Sequence, residues 1–416
     1  MIDTSRNMLY HLGNLNAENQ RISEQMATGK SINTGSENSI LHSNVINLED
    51  KLRVTEGLML QISKTQVMND SADTSLQELK IALGGDEFGG GIQDDLLKAL
   101  NSGMQRSDKL ALATNLRGIR DNMFDLMNTK VDGEFVFTGS DTTIKTLEKD
   151  SDFANNGKVT YEGDGFLREV AVQPGSYRDR GVTAYDAMFY TSNKANAGEE
   201  FNFEDGERII DENGFEWKLN VAGDQLEKYD YNGNIYHPLN TDPLLGDVTA
   251  LPVIDNSDEV EATATNQASK NTYTITNIGS SPTGKVFEAK HNYFDDLNVM
   301  INALEGYSTK LDGTKGFEID DELVRQTVAN GLEQNENQFD ATNIGHGELG
   351  GRNAVFETAY EKLTAQETNY NILIQQTTGA DLAKLAMESK ALELTYQSLY
   401  ATISKMNSLS LLNYIR

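Results

Sequence analysis

The chain has 416 residues, 38% hydrophobic and 24% charged, with a formal net charge of -29 and no cysteine. A polyanion binds by releasing counterions to Lys and Arg, so this charge speaks against nucleic acid as a partner. Without cysteine there is neither a disulfide framework nor a thiolate metal site.

The acidity is uneven. Residues 199–260 hold 16 Asp/Glu against 3 Lys/Arg, residues 1–40 hold 4 against 3, and residues 380–416 hold 3 against 4. Near-neutral ends can crowd against copies of themselves, while an acidic middle stays apart in water. Residues 1–20 lack a basic start followed by an apolar run, so no cleavable secretion signal is expected there, and no stretch approaches a membrane span.

In chain order, the first element is a helix on which Met8, Leu12, Leu15, Asn19, Ile22 and Met26 step by four and three along one seam. A second seam runs unbroken through Leu41, Val45, Leu48, Leu52, Thr55, Met59, Ile62, Gln66, Asn69, Asp73, Leu76, Lys80 and Leu83. It predicts a helix about 65 Å long at 1.5 Å per residue.

Next comes "IALGGDEFGGG", residues 81–91, whose Gly84-Gly85-Asp86-Glu87-Phe88 spells the five-letter signature of diguanylate cyclases. Those enzymes need the acidic pair on a hairpin of an α/β domain, facing further metal-binding acids. Here the letters follow a heptad helix and run into three more glycines, which reads as punctuation between antiparallel helices. A third helix is expected from about Gln93 to Lys130, with Leu97, Leu100, Met104, Leu112, Leu116, Ile119, Met123 and Leu126 for its buried side.

Residues 132–289 read as strands. "EFVFTG", "KVTYEG", "REVAVQ" and "TYTITNI" are separated by Asn156-Gly157, Asn213-Gly214 and Asn232-Gly233, which suit the positive φ of hairpin turns. All five prolines and Trp217 lie between residues 170 and 285. Since an interior proline costs a helix roughly 3 kcal/mol, the distribution marks a non-helical insert between helical flanks. "YDYNGN" (Tyr229 to Asn234) has a faint calcium-loop look, but it lacks the terminal glutamate and holds a ready turn. The histidines His11, His42, His237, His291 and His346 show no zinc spacing.

Beyond the insert, Leu349, Phe356, Leu363 and Tyr370 recur every seven residues. Leu385, Leu392, Leu399 and Met406 do the same past Gly379, with Leu382, Tyr396 and Ile403 between them. The fold expected is α+β: a long antiparallel helical bundle or coiled coil built by both flanks, with an inserted β-rich domain. Terminal assembly helices are expected at 1–44 and 379–416, a helical core at 45–131 and 290–378, and a β-rich outer domain at 132–289. No catalytic residue, cofactor or metal site is expected.

Several of these stretches resemble the flagellin superfamily, and within it the hook-associated protein 3 (FlgL) family of hook-filament junction proteins. "NLNAENQRISEQMATGKSINTGSENS" is similar to the heptad helix and turns shared with flagellins. "VDGEFVFTGSDT" (Val131 to Thr142) looks like the family's passage from third helix to β insert, and "VTYEGDGFLREVAVQPG" (Val159 to Gly175) like the strand pair after it. "LGGRN" (Leu349 to Asn353) and the final "TTGADLAKLAMESKALELTYQSLYATISKMNSLSLLNYIR" resemble the returning core helix and terminal helix.

The resemblance implies a structural subunit outside the cell, in the bacterial flagellum, exported without a cleaved signal. Its implied partners are identical subunits in a ring, a neighbouring hook-associated protein, flagellin, and an export chaperone on the C-terminal helix, with no nucleic acid or membrane. The assembly surface expected is Met8, Leu12, Leu15, Ile22, Met26, Leu382, Leu385, Leu392, Tyr396, Leu399, Ile403, Met406, Leu411, Leu412 and Tyr414. An uncovered amphipathic helix is marginal in water. Each buried Leu or Ile contributes about 1.5–3 kcal/mol, so ordering of the ends and assembly are expected to be coupled.

Overall fold

The computed structural model describes residues 2–85, 90–101, 103–150, 158–230, 232–236, 248–257, 259–278 and 285–414. The long helices are α1 (Ile2–Thr28), α2 (Ser39–Gly84), α3 (Gly91–Ala99), α4 (Arg106–Met127), α5 (Ala184–Ala187), α6 (Tyr293–Leu304), α7 (Asp321–Thr378) and α8 (Leu382–Tyr414), with α3 and α5 short. The expected α+β class is what the chain adopts: long helical flanks around a strand-rich middle. Along α2, every seam position from Leu41 to Leu83 is buried or half-buried.

The chain divides into two compact units, one of residues 1–60 with 360–416 and one of residues 61–359. The terminal unit therefore takes in the start of α2 and the end of α7, beyond the 1–44 and 379–416 expected for it.

The larger unit has two cores. In the first, Leu76, Leu79 and Leu83 of α2, Leu96 of α3 and Met123 and Phe124 of α4 pack with Phe137, Tyr161, Tyr185, Phe189, Phe294 and Leu349. Helical and insert residues share this cluster, so the early part of the 132–289 segment is built into the helical body. The second core is drawn mainly from strands and contains no helix residue, with Phe201, Phe203, Ile209, Trp217, Leu226 and Phe287 inside it.

The main sheet has six antiparallel strands in the order Ala250–Pro252, Gln225–Tyr229, Glu216–Leu219, Arg208–Asp211, Val286–Asn292 and Phe189–Asn196. Its strand Val286–Asn292 runs directly into α6, whose first turn is capped by the Asn292 side chain accepting the Phe294 N–H at 3.1 Å. The turns at Asn213-Gly214 and Asn232-Gly233 form as expected, with φ of 87° and 73° at the glycines. Asp230 Oδ1 accepts the N–H groups of Asn232 and Asn234, the bonds of an Asx-type turn, and Tyr231 lies outside the described residues. Asn156-Gly157 lies outside the described residues.

Two expectations are corrected. The single helix from Gln93 to Lys130 is two helices, interrupted between Ala99 and Arg106. The apolar spacing from Leu100 to Met104 bridges this gap, but Asn101 and Gly103 favour a turn, and Met104 N–H donates to Asn101 O at 3.2 Å. Residues 290–378 are also not helical throughout, since a hairpin of Tyr307–Thr309 and Lys315–Glu318 separates α6 from α7.

Candidate assembly surface

The terminal unit is joined by a backbone clip. Helix α1 ends where Gly29 takes φ 69° and its N–H donates to Gln25 O at 2.9 Å, the left-handed stop that glycine tolerates best. The chain then meets the α7–α8 turn. Ser31 N–H donates to Thr378 O, Ala380 N–H donates to Gly29 O at 2.9 Å, and Lys30 and Gly379 form an antiparallel bridge. Gln25, buried, donates from Nε2 to Ser31 O at 2.6 Å. Asp381 starts α8, its Oδ1 accepting the N–H groups of Ala383 and Lys384 at 3.0 Å.

From this clip α1 and α8 pack together. Ile22, Leu385 and Leu392 are buried, while Leu12, Leu15, Tyr396, Leu399 and Ile403 are half-buried. Tyr396 donates its hydroxyl to Asn16 Oδ1 at 2.5 Å, pinning the register of the two helices by a contact across 380 residues of sequence. Of the other residues expected here, Met26 and Leu382 are exposed. Met8, Met406, Leu411, Leu412 and Tyr414 lie outside the residues whose side chains are described.

The expected set therefore splits. Its central members are buried or half-buried within a single copy, and beside Met26 and Leu382 a further group that the heptad reading passed over faces water. Met387 and Leu394 are 68% and 58% exposed. Each lies two residues past a buried seam leucine, which is about 200° around the helix. Leu9, Tyr10 and Tyr400 are exposed too, as are Ile40, Ile46, Val54 and Leu60 of α2 and Ile372 and Leu373 of α7. The signal was present as the seven-residue interval from Met387 to Leu394, a stripe of only two members. Charged side chains on α8 pair locally, Lys384 with Glu388 at 3.8 Å and Lys390 with Glu393 at 2.5 Å, so its exposed face carries little net charge.

The glycine-rich segment after α2 has a steric basis. A Cβ on Gly85 would stand 2.2 Å from Gly90 O, and one on Gly91 would stand 2.5 Å from Gly85 N. The two arms of the loop are in backbone contact, and φ is positive at Gly85, Gly90 and Gly91. Asp86, Glu87 and Phe88 lie outside the described residues. Among the described residues no group of His, Cys, Asp and Glu has an arrangement that could hold a metal ion. His291 and His346 instead pair with carboxylates, His346 with Asp73 at 2.7 Å. No described helix is long and apolar enough to cross a membrane.

No family model matches the chain. It is 27% identical over 221 residues to flagellar hook-associated protein 3 of Salmonella typhimurium, an alignment that covers 52% of this chain and 65% of that protein. The chain thus matches less than two thirds of the relative's length. Among solved structures it is similar to FlgL of Xanthomonas campestris, at 15% identity, 78% and 99% coverage of the two chains and a TM-score of 0.45. For a putative flagellar hook-associated protein of Vibrio parahaemolyticus the values are 13%, 82%, 100% and 0.49. For the flagellar junction protein FlgL of Legionella pneumophila they are 14%, 82%, 100% and 0.45. The resemblance to the hook-associated protein 3 family read from the sequence is borne out by the curated relative.

Proposed function

We propose that this chain is a structural subunit of the bacterial flagellum, a hook-associated protein at the junction of hook and filament, and that it assembles through its terminal unit. The observation that carries the reading is the pairing of the chain's first and last helices, held at residues 29–31 and 378–380, with an apolar stripe left uncovered on the far side of α8. A pair of helices whose outer face keeps Met387 and Leu394 in water gains free energy when further helices cover that face, on the order of 1.5–3 kcal/mol for each large side chain buried. The similarity to hook-associated protein 3 of Salmonella typhimurium supports the same reading.

In this account copies form a ring, their terminal helices stack along the axis, and the acidic strand-rich part of the larger unit faces outward. A second hook-associated protein and flagellin lie above and below. An export chaperone covers the apolar face of Leu382–Tyr414 before secretion. The chain has no catalytic task. Deleting residues 397–416 is expected to abolish incorporation while leaving the larger unit folded, and normal incorporation of that truncated protein would refute the reading.

A flagellin role is the alternative of the same class. It is separated by phenotype: cells lacking a junction protein keep hooks and shed flagellin into the medium, whereas cells lacking a flagellin have no filament subunits to shed. An intracellular coiled-coil scaffold would account for the heptads alone, and location of the protein outside the cell would dismiss it.

A further inference from the structure

The second core holds a lysine and an aspartate that the assembly function does not use. Lys228 and Asp211 both have side chains 0% exposed, with Nζ 3.4 Å from Oδ2. Lys228 lies directly across from Trp217 in the sheet, and Asp211 ends the strand on the other side of Trp217. The rings of Phe215, Tyr236 and Trp217 surround Nζ at 4.0, 4.9 and 5.6 Å.

The two oxygens of Asp211 have different surroundings. Oδ1 accepts backbone N–H groups from Asn213 at 3.0 Å and Phe215 at 3.1 Å. Oδ2 accepts Trp217 Nε1–H at 3.1 Å and faces the amine. Taking both ionised partners out of water costs solvation that the 3.4 Å contact and the hydrogen bonds to Asp211 must offset. Burial raises the Asp211 pKa, against hydrogen bonding from Trp217 and the charge of Lys228, which lower it.

We propose that this pair is a self-modification site at which Lys228 Nζ and Asp211 Cγ condense to an amide. One proton passes from Nζ to Oδ2. The nitrogen lone pair then attacks Cγ, and negative charge collects on Oδ1, where the two backbone N–H groups stand ready to hold it. A second proton passes from nitrogen to Oδ2, the Cγ–Oδ2 bond breaks, and Oδ2 leaves as water. The ammonium and carboxylate become one amide and one water, so no oxidant or other reactant is needed.

The product is a covalent link between strands Arg208–Asp211 and Gln225–Tyr229, which flank Glu216–Leu219, in a chain that has no cysteine for a disulfide. Neither the cage nor the Oδ1 donors exist before the sheet forms, so the unfolded chain is not cross-linked. The inference stands on this site alone and is independent of the junction role.

The test is the intact mass of the purified full chain, followed by digestion. The expected mass is lower than the sequence mass by one water, about 18 Da, with a branched peptide that joins the segments of Asp211 and Lys228. Lys228→Met is expected to hold its full sequence mass. Asp211→Asn is expected to lose ammonia, about 17 Da, through the same attack. A folded wild-type chain that retains its full mass after prolonged incubation overturns the proposal. So does a water loss that persists in Lys228→Met, because it would then come from a succinimide or another dehydration.

Discussion

Ala380 donates its backbone N–H to the carbonyl of Gly29 at 2.9 Å, joining the two ends of the chain across 351 residues of sequence. The contact sits where α1 stops and α8 has yet to start, so it fixes where the two helices begin to run side by side within the terminal unit. Gly29 makes it possible by adopting φ 69°, which turns its carbonyl toward Ala380.

Substituting Gly29→Ala places a Cβ on a left-handed residue, at a cost of roughly 1 kcal/mol or more. Nothing lies within 4 Å of that Cβ, so the penalty is conformational and not steric. The expected outcome is faster proteolytic cleavage within α1 and unchanged protection of the larger unit, read by timed digestion and mass mapping.

The two faces of α8 are expected to respond differently. Leu385→Ala with Leu392→Ala removes residues buried against α1 and should weaken the terminal unit by about 2 kcal/mol or more for each site. Helix content measured by circular dichroism on the isolated subunit should fall. Met387→Ala with Leu394→Ala removes exposed side chains, so the subunit's helicity should stay the same while incorporation into flagella drops. Equal effects of the two pairs on helicity would argue against the division of faces.

Stability should fall in alkali through His291. Its Nε2 is 3.1 Å from Asp296 Oδ1 and its Nδ1 is 3.3 Å from Glu207 Oε1. Burial by itself would lower its pKa and Lys270 acts the same way, but attraction and hydrogen bonding to Asp296, with a hydrogen bond to Glu207, raise it from 6.5 to about 10. A raised folded pKa means that the stabilisation is complete below 6.5 and is lost as pH climbs through about 10. The unfolding free energy from urea titrations should decline across that window by an amount on the order of 1–3 kcal/mol, and His291→Gln should flatten the decline. An unchanged slope in the variant would remove His291 as its source.

The five letters of the cyclase signature are expected to separate into structural and dispensable parts. Gly85→Ala brings a Cβ to 2.2 Å from Gly90 O and should lower thermal stability, whereas Asp86→Asn with Glu87→Gln should leave motility intact. Purified protein should turn over no GTP with magnesium or manganese. Measurable turnover that disappears in the double variant would restore the enzyme reading.

Long regular helices were the most legible part, because a heptad seam repeats one packing rule many times. Leu349, Phe356 and Leu363 are all buried, as their seven-residue spacing implies. Turns carried by Asn213-Gly214 and Asn232-Gly233 were equally legible, since positive φ narrows the choice of residue. The α3–α4 break was hidden because Leu100 and Met104 keep helical spacing across a turn. The fusion of Phe137, Tyr161 and Phe189 with the helical core could not be read, because it depends on which long-range surfaces meet. The pairing of Lys228 with Asp211 was invisible for the same reason, being fixed by the register of three strands. On α8, the long seam through Leu385 and Leu392 masked the shorter stripe of Met387 and Leu394.

The central claim is that this chain is a junction subunit assembled through its paired ends. Its most direct test is to label the protein on intact flagellated cells and image where the label falls. The account predicts one narrow band at the distal end of each hook, lost when residues 397–416 are deleted. Label spread along the whole filament, or confined inside the cell, would contradict it.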